Sequence, residues 1–134
     1  KLMATPEQNL WHRLKKNLPP QAHSTRIENR AGTGVPDVHI ACDGKAFWVE
    51  LKITKHHAID MRPSQVAWNY GYSQAGGVSF ILVSRPMKGD AFLFEGGDSL
   101  RLASSGICEP WLWSGTDLAT CVQTMLASFE FQDP

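Results

Sequence analysis

Cysteine is scarce in this sequence, and the three cysteines present lack the spacing of a metal site. Cys42, Cys108 and Cys121 are odd in number and far apart along the 134-residue chain. A disulfide framework and a zinc site built on paired cysteines are therefore disfavoured. We expect three reduced, buried thiols and a cytoplasmic setting.

Long apolar runs and an excess of one charge are also missing. No segment approaches the roughly 20 apolar residues of a membrane span, and no secretory signal is visible at the start, so no membrane partner is expected. Thirteen basic residues balance thirteen acidic ones, so any surface for a polyanion must be local. A hydrophobic content of 43% without repeats predicts one globular domain over residues 1–134.

Local signals predict the element order α-β-β-β-α-β-β-α, which is an α/β fold. Thr5 and Pro6 favour the start of the first helix, and Pro19-Pro20 ends it. The remaining predicted elements are strands at 24–30, 36–42 and 46–53, a helix from 63 to about 76, strands at 78–84 and 90–96, and a helix at 117–129. Residues 97–115 are predicted to be loop-rich, with Trp111 and Trp113 as anchors.

The second and third predicted strands form a hairpin, because Asp43-Gly44 between them is a strong signal for a two-residue turn. With that turn, facing residues have numbers that sum to 87. Asp37 then faces Glu50, and Lys52 projects from the same side of the sheet as Glu50.

The facing carboxylates are the chemical signal of the sequence. Two carboxylates about 5 Å apart repel unless one is protonated or a cation neutralises them. Mg²⁺ prefers oxygen ligands of this kind, and Lys52 could orient a water or stabilise charge on a phosphate. Asp37, Glu50 and Lys52 therefore suit phosphodiester hydrolysis. The competing interpretation is a strand-end aspartate beside an exposed Glu50–Lys52 pair.

The complete pattern, Pro36-Asp37, a hairpin and then Glu50-Leu51-Lys52, resembles the signature of the PD-(D/E)XK nuclease superfamily. The segment "AGTGVPDV" is similar to the glycine-rich approach of the VRR-NUC and phage Holliday-junction-resolvase-like branch. "RPSQVAWNYGYSQAG" resembles that branch's helix after the lysine, and Gln65 is the matching glutamine. Glu7 matches the family's glutamate on the first helix. The resemblance covers about residues 5–84.

This resemblance implies a restriction-endonuclease-like core, with Asp37 and Glu50 at the active edge of a mixed sheet and helices on both faces. It implies a DNA endonuclease of bacteria or phages that depends on Mg²⁺ or Mn²⁺. The family includes junction resolvases, so branched DNA or a Holliday junction is a candidate substrate. Asp37, Glu50 and the Leu51 carbonyl would bind the metal. A catalytically silent nucleic-acid-binding module or a structural metal protein are the alternatives.

The family resemblance also implies roles for the other candidate residues. Lys52 would position water and Gln65 would hold the site, while Glu7 could complete the site or merely favour its helix N-terminus. Glu28 could support the site or be exposed, and Trp68 and Tyr72 are expected in the core rather than against bases.

A basic rim and a second copy of the chain complete the expected partners. The rim consists of Lys55, His56, His57 and Arg62, which would contact DNA phosphates; the histidines are expected to be solvated rather than metal-bound. The apolar stripe from Leu118 to Phe129 could form a homodimer interface, as resolvases of the family do, or pack within its own chain.

Overall fold

The computed structural model describes residues 3–27 and 32–131. Its helices are α1 (Pro6–Lys16), α2 (Pro63–Gln74), α3 (Ser99–Ser105) and α4 (Leu118–Ala127). Its strands are β1 (His23–Arg26), β2 (Val38–Cys42), β3 (Lys45–Ile53), β4 (Ser79–Arg85), β5 (Asp90–Glu95) and β6 (Trp113–Gly115). Two short 3₁₀ turns, Gly96–Asp98 and Ser128–Phe131, follow β5 and α4.

The six strands form one mixed sheet whose spatial order is the chain order, β1 to β6. Only β3 and β4 run parallel, and α2 makes the crossover between them. The other neighbours are antiparallel. The mixed α/β fold predicted from the sequence is confirmed.

Helices cover both faces of this sheet, and each face has its own apolar cluster. The first cluster joins α1 and α4 to one face; its largest fully buried side chains include Leu14, Phe47, Phe80, Leu93 and Met125. The second joins the other face to α2 and α3, around Ile81, Phe94 and Leu102. Because both of its faces are covered, β4 is buried from Ser79 to Ser84, as its continuous apolar sequence predicted.

The hairpin register predicted from Asp43-Gly44 is confirmed. Five pairs run from Val38–Val49 to Cys42–Lys45, and all sum to 87. Asp43 and Gly44 both have positive φ, at 54° and 79°, as the tight turn requires. Every side chain of the hairpin therefore lies on the face that the sequence assigned to it.

One prediction about the second half of the chain is wrong. Residues 97–115 contain α3 and β6 rather than loop alone. α3 has seven residues with two of them buried, Ser99 and Leu102, and β6 has three residues, so neither has a readable hydrophobic period. The first predicted strand corresponds to β1, His23–Arg26, and the predicted strand residues 28–30, Glu28 among them, lie outside the described residues.

The apolar stripe of α4 packs within its own chain. Leu118, Cys121, Val122 and Met125 are buried in the first cluster, with Leu126 and Phe129 packed against it. Trp113 also packs there and donates from Nε1 to Thr120 Oγ1 at 2.9 Å. This surface is therefore not free to pair with a second copy, and a homodimer would need another one.

Gly34 joins the loop before β2 to the start of α2. Its φ is +81°, and a Cβ built there would overlap the backbone carbonyl of Ser64. No side chain fits between these two backbones, so the approach to Asp37 and the first turn of α2 are held in direct contact.

We predict that Gly34→Ala destabilises the protein more than Gly89→Ala. Gly89 also has positive φ, +73°, but has open space around its Cβ position. Both variants bear the left-handed strain of roughly 1–2 kcal/mol, and only Gly34→Ala must also displace Ser64. Urea unfolding measures both losses, and equal losses would contradict the close packing of Gly34.

Candidate active site

Asp37 lies immediately before β2 and is fixed through both its backbone and its side chain. Its carbonyl accepts from Ile27 N at 2.6 Å, and its Oδ2 accepts from Leu51 N at 2.8 Å. The Asp37 side chain thus accepts a β3 N–H that a β2 backbone carbonyl would accept in a regular sheet. The last regular pair of the two strands is Val38–Val49. The bond to Leu51 directs the half-buried carboxylate toward Glu50.

Glu50 is a buried carboxylate in an interior strand, with 3% of its surface exposed. The sequence prediction that the carboxylates stand at an edge of the sheet is wrong in this respect, because β3 lies between β2 and β4. Its Oε2 accepts from Gln65 Nε2 at 2.9 Å. Its Oε1 is buried and has no hydrogen-bond partner among the described residues.

Burial is the main reason why the pKa of Glu50 rises to about 8 from its ordinary value of 4.5. The nearby charge of Asp37 raises the pKa further. The positive charges of Lys52 and Arg62 act in the opposite direction but do not compensate. Glu50 therefore holds a proton near neutral pH unless a cation replaces it.

The Lys52 side chain is held in place by hydrogen bonds. Its Nζ donates to the Asp60 carbonyl at 2.5 Å and to Gln65 Oε1 at 2.9 Å. The ammonium lies 3.7 Å from Glu50 Oε2, and its side chain is 15% exposed. Lys52 and Glu50 alternate with core residues along β3, so both project from the face that α2 covers.

Gln65 links the charged residues to one another. It is 4% exposed and sits in the first turn of α2, which begins at Pro63. Its Nε2 donates to Glu50, while its Oε1 accepts from Lys52 and from the backbone N–H of Arg62 at 3.0 Å. Both halves of one amide are therefore used, and this arrangement fixes which way the amide points.

A buried polar chain behind Gln65 holds α2 in place. Asn69 Nδ2 donates to the Gln65 carbonyl at 2.8 Å, and Ser79 Oγ donates to Asn69 Oδ1 at 2.8 Å. Asn69 is fully buried, and a Cβ at Gly96 would overlap Ser79 Oγ. This support was not predicted from the sequence, although Asn69 follows Gln65 by four residues and so lies on the same side of the helix.

The Leu51 carbonyl faces the Asp37 side of β3. The N–H groups of Trp48 and Thr54 donate to the carbonyls of Val78, just before β4, and of Ser84 in β4, while the Leu51 N–H donates to Asp37. The backbone groups of the odd-numbered residues of β3 therefore point toward β2. The residue opposite Leu51 in the continued register is Pro36, which has no N–H to offer. The Leu51 carbonyl therefore lies on the side of β3 that faces Asp37, without a backbone donor from Pro36.

These oxygens fit a hard divalent cation. The fit rests on the unpartnered Glu50 Oε1, the adjacent Asp37 carboxylate and the orientation of Leu51. Among the described residues no group of three or more His, Cys, Asp and Glu side chains could hold a metal. Two carboxylates with water and phosphate oxygens completing the shell are typical of Mg²⁺ rather than of an all-protein cage.

The remaining predicted site residues lie around this group. Glu7 is exposed in the first turn of α1, and no described hydrogen bond or ion pair joins it to the carboxylates. The start of α1 does lie beside the carboxyl end of β4, since Pro6 and Asn9 line one cavity with Ser84 and Pro86. Glu7 is thus at the same end of the sheet as the site.

The basic rim residues Lys55, His56, His57 and Arg62 are all exposed. The loop that carries them is fixed by its backbone: the His56 carbonyl accepts from Arg85 at 2.9 Å, and the His57 carbonyl accepts from Ile107 N at 2.7 Å. Their side chains remain available to a ligand that approaches the end of β3.

Trp68 and Tyr72, expected in the core, belong to neither apolar cluster. Both are half-buried and stack on each other with ring centroids 4.6 Å apart. The expectation that these two side chains lie in the core is therefore wrong: they contact each other and, through Trp68, the ring of Trp48.

Comparison with known proteins supports the fold. No protein-family profile matches the sequence, and no curated protein sequence matches it. Among solved structures the chain is similar to Hjc, a Holliday junction resolvase from the archaeal hyperthermophile Archaeoglobus fulgidus, with a TM-score of 0.51 and 15% identity. The likeness covers 67% of this chain and 74% of that one. The restriction-endonuclease-like fold expected from the sequence is thereby confirmed.

The raised pKa of Glu50 predicts how stability depends on pH in the absence of divalent cations. A carboxyl whose pKa is about 8 when folded and near 4.5 when unfolded binds its proton more tightly in the folded state. Its stabilising contribution is complete below about pH 4.5 and is lost as pH rises through about 8.

Glu50→Gln should remove this loss, so the variant should be more stable than the wild type at pH 8.5 in EDTA. The gain should reach several kcal/mol, since a tenfold change in proton affinity is worth about 1.4 kcal/mol. Urea unfolding at pH 5, 7 and 8.5 measures it. A constant difference between variant and wild type across this range would contradict the assignment.

Proposed function

We propose that this protein is a metal-dependent DNA endonuclease of the PD-(D/E)XK type. The observation that carries the proposal is the buried Glu50 carboxylate beside Asp37, with an unpartnered Oε1 and the Lys52 ammonium 3.7 Å from its Oε2. A structural carboxylate would have its oxygens satisfied. Here the protein keeps one carboxylate oxygen free and an anchored cation beside it.

Asp37, Glu50 and the Leu51 carbonyl would hold Mg²⁺ or Mn²⁺. The bound cation would polarise the phosphodiester and lower the pKa of a coordinated water. Glu50 must release its proton for this, so cation binding and proton release are coupled at the site. The apo pair is thus poised to exchange a proton for a metal ion.

Lys52 and Gln65 divide the remaining work in this proposal. The Lys52 ammonium would orient the attacking water or stabilise charge that develops on the phosphate. Gln65 keeps Lys52 and Glu50 at a fixed separation, because it binds both through one amide. Glu7, at the same end of the sheet, would complete the site once DNA brings a phosphate to it.

DNA would approach from the carboxyl end of β3, where the basic rim lies. Lys55, His56, His57 and Arg62 would supply sequence-independent phosphate contacts there. We further propose a bacterial or phage origin within the VRR-NUC and resolvase-like branch, a cytoplasmic setting, and a homodimer that cuts two strands of a branched DNA.

No helix in the described part of the chain has both the length and the apolarity needed to cross a bilayer.

The competing function is a silent DNA-binding module on the same fold. Such a module would have no use for an unpartnered buried carboxylate oxygen, and that oxygen favours the enzyme. Cleavage of labelled linear and four-way-junction DNA in Mg²⁺, Mn²⁺ and EDTA separates the two. Cleavage in either metal and none in EDTA is expected; binding without cleavage would support the silent module.

We predict that Mn²⁺ stabilises the wild type against heat much more than Asp37→Asn. A cation that binds only the folded protein adds about 2.7 kcal/mol at a hundredfold excess over its Kd. Asp37→Asn removes a ligand charge but keeps an acceptor for Leu51 N–H. Melting temperatures with and without Mn²⁺ at pH 7.5 test this, and equal shifts in both proteins would argue against the site.

Lys52→Ala should abolish cleavage while sparing DNA binding. Its effect is expected mainly in the transition state, so the single-turnover rate should fall roughly a hundredfold to a thousandfold. The Kd for DNA should change only modestly, since one phosphate contact among several is lost.

Lys55→Ala is the matched control, because Lys55 lies exposed in the loop beyond β3. It should weaken binding slightly and leave the rate at saturating DNA unchanged. If Lys52→Ala cuts DNA at nearly the wild-type rate, the hairpin is not a nuclease centre.

A further inference from the structure

Four aromatic side chains form a continuous row beside the candidate site. The rings of His39 and Trp48 lie 4.8 Å apart, those of Trp48 and Trp68 lie 5.9 Å apart, and those of Trp68 and Tyr72 lie 4.6 Å apart. All four side chains are half-buried, and none belongs to an apolar cluster. We call His39, Trp48, Trp68 and Tyr72 the aromatic row.

The aromatic row borders a part of the sheet that the helices leave open. The cluster under α2 and α3 draws its strand residues from β4 and β5 but includes none from β1 or β2. On that face of β1, His23 and Thr25 are exposed, and Thr25 pairs with His39. The half-buried rings of His39 and Trp48 therefore lie between exposed β1 residues on one side and Trp68 of α2 on the other.

The aromatic row begins at the carboxylates. Trp48 precedes Glu50 by two residues on the same face of β3, a rise of about 7 Å, and His39 follows Asp37 by two residues. The far end is fixed as well, since a Cβ at Gly77 would overlap the ring of Tyr72. A DNA strand with a phosphate at Asp37 and Glu50 would have its neighbouring nucleotides beside the aromatic row.

The chemistry of the aromatic row suits bases rather than phosphates. The exposed side chains nearest to it on β1 are an imidazole and a hydroxyl, His23 and Thr25, whereas the basic rim lies beyond the carboxylates at the other end of β3. Aromatic side chains stack on bases whose faces are exposed, which happens in unpaired and not in duplex DNA.

We propose that the aromatic row is a stacking site for unpaired nucleobases adjacent to the scissile phosphate. The proposal rests on the proposed nuclease function and deepens it, because it assigns the substrate class: DNA that has unpaired nucleotides next to the cut. The basic rim holds the phosphates on one side of the carboxylates, and the aromatic row holds the bases on the other.

The experiment compares two DNAs, a blunt duplex and the same duplex with a short single-stranded extension, by fluorescence anisotropy in EDTA. Trp68→Leu should weaken binding of the extended DNA roughly fivefold to a hundredfold and leave the blunt duplex nearly unchanged. Trp68→Phe keeps a ring and should retain most of the affinity. Because stacking releases no counterions, the salt dependence of Trp68→Leu should match the wild type.

Two controls make the result specific. Trp111→Leu removes a tryptophan that packs on Phe92, outside the aromatic row, and should bind both DNAs as the wild type does. Thermal melting of Trp68→Leu and Trp68→Phe shows whether each is folded. Tyr72→Leu repeats the test if Trp68→Leu is unfolded, and it should show the same selective loss.

Equal weakening of both DNAs, or no change in either, would overturn the proposal. So would a wild-type dimer in sedimentation velocity that Trp68→Leu converts to a monomer, because the aromatic row would then be an interface between two copies. Cleavage in Mg²⁺ is measured separately. A selective loss of binding in a protein that cuts no DNA supports the stacking site and refutes the nuclease instead.

Discussion

The hydrogen bond from Gln65 to Glu50 is the contact on which the site depends. A carboxylate inside a sheet is costly, and the cost is tolerable only if its oxygens have partners. Gln65 supplies one partner and fixes Lys52 with the other half of its amide. The first turn of α2 must therefore stand close to β3, and the contact of Gly34 with Ser64 and the buried Asn69–Ser79 bond both maintain that position.

The site is built at the expense of stability. One oxygen of Glu50 has no hydrogen-bond partner among the described residues. Burial and the nearby charge of Asp37 both disfavour the ionised form of Glu50. A packed apolar residue at position 50 would suit the interior of the sheet better. Proteins tolerate such destabilising residues at functional positions. An oxygen that has no partner inside the protein remains available to bind a ligand.

The sequence revealed those parts of the fold that local chemistry determines. The Asp43-Gly44 turn fixed the hairpin register, and the register placed Asp37, Glu50 and Lys52 on one side of β3. It was less informative where contacts join remote segments. The bond between Asn69 and Ser79 spans α2 and β4. α3 and β6 are too short to show a period, and the position of Trp68 at the open side of α2 depends on how α2 crosses the sheet.

The strand order has a kinetic consequence. Each strand pairs with the one next to it in the chain, and two of the five strand pairs, β2–β3 and β4–β5, are joined by tight turns. Low contact order of this kind favours rapid formation of the hairpins. The parallel β3–β4 pair has the longest connection, the crossover through α2. We expect α2 to dock after the β2–β3 hairpin has formed, so the two carboxylates would meet before the helix that restrains them is in place.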